Sequence, residues 1–144
     1  MSLLADTAAA VAACLNGQEF GQALAARRGY RPEFELREMD RLHVTVVPGN
    51  MEEEPFDRAT MLFRPRVDVA VQKRIDPGDV EGIDRLMDLV ERIAAALRGG
   101  TLTLAGGATA RWAGAEWSTP YAPEELKARH LFVAVLTLTY EVVQ

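Results

Sequence analysis

The sequence predicts an α+β fold, a two-layer sandwich in which a mostly antiparallel sheet with a long hairpin-like ribbon carries two main helices packed on one face. Two stretches alternate with a two-residue period, Thr60–Ile75 and His130–Val143. Two others, Leu3–Asn16 and Val80–Leu97, repeat apolar residues at the three-and-four spacing of a helix. Strands and helices do not alternate regularly along the chain. This order favours antiparallel pairing over a parallel sheet.

The first predicted element is an alanine-rich helix over Leu3–Asn16, ended by Gly17. Cys14 is the only cysteine and lies in this helix. A lone thiol cannot form an intramolecular bridge, so we expect a packing role and a reducing compartment. The predicted buried face consists of Leu4, Ala8, Val11 and Leu15.

The region between this helix and the first long ribbon contains weaker signals. Gln18–Arg31 fits either a short helical turn or a strand, and Glu33–Arg37 alternates as a short strand. Leu42–Pro48 is a further strand, and Pro48–Asn50 predicts a turn that ends it. Met51–Arg58 has neither period. We expect it to be an exposed loop between two paired strands, either functional or simply solubilising.

Thr60–Ile75 is predicted to be a half-buried strand with a charged outer face. Its inward residues are Met61, Phe63, Val67, Val69, Val71 and Ile75. Its outward residues are Arg64, Arg66, Asp68, Gln72 and Arg74. Two interpretations of the basic residues stay open. They form either a solvated face balanced by Asp68 and Asp76, or a charged surface that lines a passage or meets an acidic partner.

The second helix is predicted over Val80–Leu97, with Asp79 as its N-cap and Gly99–Gly100 as its end. Its apolar residues form one continuous stripe, which predicts core packing against the sheet. The stripe consists of Val80, Ile83, Leu86, Met87, Val90, Ile93, Ala94 and Leu97.

After this helix, Thr101–Gly114 predicts either two short strands around Gly106–Gly107 or a mobile insertion. Glu116–Leu126 is predicted to be a proline-bounded excursion. The region's aromatic residues could serve an interface or cap one end of the core. They are Trp112, Trp117 and Tyr121.

The last strand, His130–Val143, is long and has no strongly polar face. One face consists of Phe132, Ala134, Leu136, Leu138, Tyr140 and Val142. At roughly 3.3 Å per residue such a strand runs about 45 Å, more than twice a common strand. A ribbon of this length must bend or reach another molecule, which favours a role in assembly.

Length and composition fit a single domain over residues 1–144. The formal charge of −5 disfavours generic binding to nucleic acid. The N-terminus lacks the features of a signal peptide, and no run approaches the ~18 apolar residues of a membrane helix. We therefore expect synthesis in the cytoplasm and no membrane partner.

The sequence contains few residues suited to catalysis. His43 and His130 are the only histidines, and no metal-binding or nucleophile motif occurs. Each histidine fits a structural role on or next to a strand. We expect no enzyme activity, no metal and no cofactor.

The pattern of elements resembles the small neck and tail-completion proteins of long-tailed bacteriophages, above all the tail terminator group. The resemblance rests on Leu42–Pro48, Val67–Asp76, Val80–Leu97 and Phe132–Val142. It extends over Leu3–Val143 and depends on no invariant chemical motif. It implies a structural virion protein, an α+β domain that forms a homo-hexameric ring on the tail tube, ends tube growth and contributes to the head–tail interface.

The partners implied by this resemblance are other copies of the chain, the tail tube protein and the head–tail connector proteins, with DNA passing through the ring without specific binding. The implied location is the tail or neck of the virion. Unpatterned or charged exposure suggests the assembly residues, which are Glu52, Glu53, Glu54, Phe56, Arg64, Arg66, Asp68, Lys73, Arg74, Trp117 and Tyr121. Two alternatives stay open: a head–tail joining or minor tail protein, and a small cytoplasmic domain that binds a ligand through Trp112–Tyr121.

Overall fold

A computed structural model describes residues 2–20, 24–30, 41–119, 124, 126–127 and 130–144. Within these residues it contains two helices and a six-stranded sheet, which confirms the predicted α+β fold. In chain order the elements are α1 (Leu3–Asn16), β1 (Ala26–Arg28), β2 (His43–Pro55), β3 (Met61–Arg74), α2 (Val80–Leu97), β4 (Thr101–Thr103), β5 (Thr109–Thr119) and β6 (Leu131–Val143).

The strands lie in the order β1-β2-β3-β6-β5-β4. Only the pairing of β1 with β2 is parallel among the described strands, so the sheet is mostly antiparallel as predicted. The two long alternating stretches are neighbours at its centre. Their pairing runs from Arg74 opposite Leu131 to Leu62 opposite Val143.

One apolar cluster forms the core, and both helices contribute to it. From β6 it takes the face that begins at Phe132, and from β3 it takes the valines at 67, 69 and 71. Ala70 and Leu131 point to the other sheet face, and they are buried without belonging to this cluster. The helices therefore cover the face that the two-residue period predicts to be dry.

The bounds of both main helices are confirmed. Ser2 caps α1 by accepting the Ala5 N–H at 3.1 Å, and Gly17 follows the last turn. Asp79 caps α2 by accepting the Gly82 N–H at 3.0 Å. These caps satisfy N–H groups that have no partner within the helix.

The buried stripe of α2 differs from the prediction at two residues. Val80 is 64% exposed, whereas Leu89 is buried. At about 100° per residue, Val80 lies about 120° around the helix axis from Leu86, and Leu89 lies only about 60° from it. The prediction therefore begins the buried stripe too early, at Val80, and omits Leu89.

The predicted loop at Met51–Arg58 is wrong for residues 51–55, because β2 continues to Pro55, whereas residues 56–58 do lie in the exposed turn between β2 and β3. Pro48 pairs with Val67 but Met51 pairs with Pro65, so the register shifts by one residue. The segment predicted to be a turn, Pro48–Asn50, is thus a β-bulge. The strand is exposed on both faces beyond this bulge, and so the sequence shows no burial period there.

The segments after α2 decide between the two alternatives for Thr101–Gly114 and correct the predicted start of the excursion at Glu116. Thr101–Gly114 forms strands, with β4 and β5 joined by a turn in which Leu104 N–H donates to Ala108 O at 2.8 Å. Gly107 adopts a φ of +91° in this turn, which favours glycine. The predicted excursion at Glu116 is wrong in its start, because β5 continues to Thr119. Favourable pairing with the apolar strand β6 outweighs the weak strand pattern.

The open region Gln18–Arg31 contains the short strand β1 at Ala26–Arg28. Asn16 ties this strand to the end of α1, since its amide donates to Ala26 O at 2.9 Å and accepts the Ala26 N–H at 2.8 Å. The predicted strand Glu33–Arg37 lies outside the described residues.

Candidate assembly surface

We call residues 51–65, the far end of the β2–β3 hairpin, the arm. On one side of it β3 still pairs with β6 as far as Met61, so only the turn at residues 56–60 lies beyond this pairing. The edge strand β1 pairs only with Val44–Val46 of β2, followed by one bond from Gly29 N–H to Val46 O at 3.0 Å. Beyond that point no described strand pairs with the outer side of β2. Residues 51–59 are all exposed. An open strand edge of this kind offers unpaired backbone groups to another chain.

The turn at the tip of the arm is well ordered by hydrogen bonds. One carboxylate oxygen of Asp57 accepts from the Ala59 N–H, the Thr60 N–H and the Thr60 hydroxyl, each at 2.8 Å. These bonds, the Ala59 N–H first, lower the pKa of Asp57 below its ordinary value. Phe56 lies in this turn and is 58% exposed. The tip therefore presents an aromatic side chain from a fixed backbone.

Arg64 joins three strands through two ion pairs. Its Nη2 lies 3.2 Å from Glu54 on β2, and its Nε lies 3.3 Å from Glu141 on β6. The hydrogen bond that Arg64 donates to Glu54 is the leading cause of the raised pKa of Arg64. Surface pairs of this kind are worth little in stability. Their effect is to fix the direction of the arm relative to β6, and so Arg64 has a positioning role within the chain.

Arg66 and Asp68 lie on the sheet face opposite the core. Arg66 is half-buried across from the bulge, and the Thr137 hydroxyl donates to Asp68 at 2.7 Å. This face is less solvated than predicted. Gln72 is only 6% exposed and Ala70 only 1%. The charged character of β3 is therefore concentrated toward its two ends.

Lys73 and Arg74 lie at the other end of β3 from the arm. They line an open cleft of about 530 Å³ against the first turns of α2, with Arg85 on its helical side. The other described residues of this cleft are Ile75, Asp76, Asp79, Gly82 and Leu86. The structure thus separates two groups of predicted assembly residues, because from Arg64 to Lys73 the strand runs about 30 Å.

The remaining predicted residues divide into three sets. Glu52 and Glu53 are exposed on the arm. Trp112 and Trp117 are half-buried and pack against the core, as expected if they cap one end of it. Tyr121 lies outside the described residues.

Sequence reasoning missed three residues that belong to these surfaces. Glu141 bridges to Arg64, Met51 is an exposed apolar residue of the arm, and Arg85 lines the cleft. A signal existed for Glu141, because it is the only charged residue in an otherwise uncharged strand. No local pattern indicated Arg85, because its role depends on how α2 meets the end of β3.

The described part of the chain gives no sign of a metal centre or a membrane span. No three His, Cys, Asp or Glu side chains among the described residues are grouped so that they could hold a metal ion. None of the described helices is both long and apolar enough to cross a bilayer.

Comparison with known proteins gives a structural relationship without a close relative. No family model and no curated protein matches the sequence. A chain in the solved virion of a native gene transfer agent particle has a similar structure, with a TM-score of 0.55 and 15% sequence identity. The similarity covers 95% of this chain and 94% of that chain. At this identity it shows a shared fold over nearly the whole length.

Proposed function

We propose that this protein is a non-enzymatic structural subunit of a phage-like virion, located in the tail or neck. The observation that carries the proposal is the fold shared with a chain of the gene transfer agent virion, which leaves almost no part of either chain unmatched. Full-length similarity supports a common structural role more than similarity of one small motif would. The resemblance of the element pattern to tail terminators supports the same class of protein.

Within that class, we propose that the protein caps the tail tube as a homo-hexameric ring and ends its growth. A ring uses heterologous contacts, in which each subunit presents one surface to the next subunit and receives a different one. The arm is suited to be one of these surfaces, since it has an open strand edge on β2, an exposed Phe56 and a hydrogen-bonded turn. The net charge of −5 suits a ring through which DNA passes without being bound.

The test combines the purified protein with the tail tube protein from the same genome. We expect rings, or tubes of limited length that carry the protein at one end, by light scattering and electron microscopy. Binding to the connector proteins with no effect on tubes would favour a head–tail joining role. A protein that binds neither would contradict a role in the virion.

Phe56→Ser is the variant that tests the arm in this experiment. It removes an exposed aromatic side chain, so the fold should be retained while binding to tubes or to other copies weakens. Tyr30→Ser is the matched control, because Tyr30 is also an exposed aromatic residue, at 70%, and lies just after β1, outside both the arm and the cleft. Equal effects of both variants would remove the arm from the proposal.

A further inference from the structure

We propose that the arm of one copy of this chain docks into the cleft between β3 and α2 of the next copy, so that copies associate head to tail. The inference rests on the proposed function, in which the arm is one contact surface between copies in a ring. It adds the site on the neighbouring copy that receives the arm.

The cleft has the chemistry of a receiver for an acidic segment. Lys73, Arg74 and Arg85 supply three cationic groups around it. Two carboxylates also line it, but both already accept backbone bonds: Asp76 from the Gly78 N–H and Asp79 from the Gly82 N–H, each at 3.0 Å. The balance of these five groups is +1. Ile75 is half-buried and adds apolar surface on which an aromatic or aliphatic side chain can pack, whereas Leu86 is only 3% exposed.

The arm has the complementary chemistry. Residues 51–65 contain four carboxylates, on Glu52, Glu53, Glu54 and Asp57, and two arginines, a balance of −2. Glu54 and Arg64 neutralise one another, which leaves Glu53 exposed for a partner. Phe56 and Met51, both exposed, supply the apolar part. Acidic and apolar groups thus lie side by side, as basic and apolar groups do in the cleft.

The positions of the two surfaces exclude contact within one copy. They lie at opposite ends of β3, whose 14 residues at roughly 3.3 Å each span about 46 Å. A central strand paired on both sides cannot fold back to bring its ends together. The contact therefore joins different copies through different surfaces, and it generates a ring where the rotation closes.

Charge reversal tests this contact. Glu53→Lys and Arg85→Glu are each expected to weaken self-association at least about tenfold, because each places like charges in the contact. The combined variant re-creates an attractive pair and should associate within about threefold of the wild type. Sedimentation equilibrium over a concentration series measures association in solution, and counting bound copies per tube end measures it on tubes.

The control is Arg92→Glu, an exposed arginine on the same helix that pairs with Asp88 at 2.8 Å outside the cleft. It should leave association unchanged. Three results would overturn the inference: single reversals that associate like the wild type, a combined variant weaker than either single one, or a wild type that is monomeric both in solution and on tube ends. If the protein gives one of these results and still caps tubes, the proposed function stands without the contact between arm and cleft. A protein that never binds tubes would contradict the proposed function itself.

Discussion

The two halves of β3 are held in place by different forces. From Val67 onward the strand is buried in the middle of the sheet, with valines packed under both helices. Before that point it belongs to the arm, where only Pro65 is buried and where ion pairs and turn bonds add to the pairing with β2 and β6. Burial supplies most of the free energy of folding, whereas exposed polar bonds mainly select a geometry. One strand can therefore anchor a domain and also contribute to an exposed corner of the sheet.

The largest difference in stability between the two regions is expected when a leucine is truncated to alanine in each of them. Leu136→Ala, at a buried position opposite Val69, should lower the free energy of unfolding by about 2–5 kcal/mol because it leaves a cavity. Leu62→Ala, in the arm, should cost about 1 kcal/mol or less, since Leu62 is only half-buried. Urea titration measures both. Equal losses would show that the arm belongs to the cooperative core.

The next largest effect concerns the bulge where the two halves meet. A Cβ on Gly49 would lie 3.0 Å from Arg66 O, so Gly49→Ala should push the strands apart and cost about 1 kcal/mol. Gly114→Ala is the matched control, since it lies at another register shift of the sheet and its Cβ would meet open space. Thermal unfolding of the two variants compares the sites. A harmless Gly49→Ala would mean that the bulge readily adjusts.

In the core region, one polar atom offers a gain in stability. The Tyr140 hydroxyl is buried without a hydrogen-bond partner, so Tyr140→Phe should raise the free energy of unfolding by up to about 1 kcal/mol. Burial, with the Cys14 thiol as a second cause, raises the pKa of Tyr140 above its ordinary value of 10.0.

The same residue predicts a pH dependence. The folded state keeps the Tyr140 proton at pH values where the tyrosine of the unfolded chain ionises. The free energy of unfolding is therefore unaffected by this group below pH 10 and falls as the pH rises from there toward the raised pKa. Tyr140→Phe should therefore lose less stability than the wild type between pH 9 and pH 11. Identical pH profiles would show that another group controls alkaline unfolding.

The smallest effect on stability is expected at the basic residues of β3. Replacing Arg64, Arg66 and Arg74 together with Ser should change the free energy of unfolding less than any of the variants above, because surface ion pairs contribute little. Assembly should weaken clearly, since the arm loses its fixed direction. Arg92→Ser is the control on a surface away from the arm. Unchanged assembly of the triple variant would remove these positions from the proposal.

Sequence periods predicted the fold where burial is one-sided. Both helices, β3 and β6 were located within a residue or two, because each alternates or repeats against a dry core. The outer half of β2 was mistaken for a loop because nothing there is buried. Its strand character comes from pairing with β3, and glutamates at 52 to 54 give no local sign of it.

The candidate surfaces were predictable only in part. Exposure of the glutamates and of Phe56 followed from their lack of pattern. The cleft was not foreseeable, because Lys73 and Arg85 lie on different elements that meet only after α2 packs on the sheet. The dual role of Arg64 also depended on Glu141, which lies 77 residues further along the chain.

The bulge at Gly49 also decides which side of the arm is acidic. Before it the even-numbered residues of β2 face the helices, but after it the odd-numbered Met51 does, while Glu52 and Glu54 join the side of Arg64. Deleting one residue at the bulge would exchange the two sides in a single step. Short insertions and deletions at this point would thus let related proteins acquire new partners during evolution without altering the core.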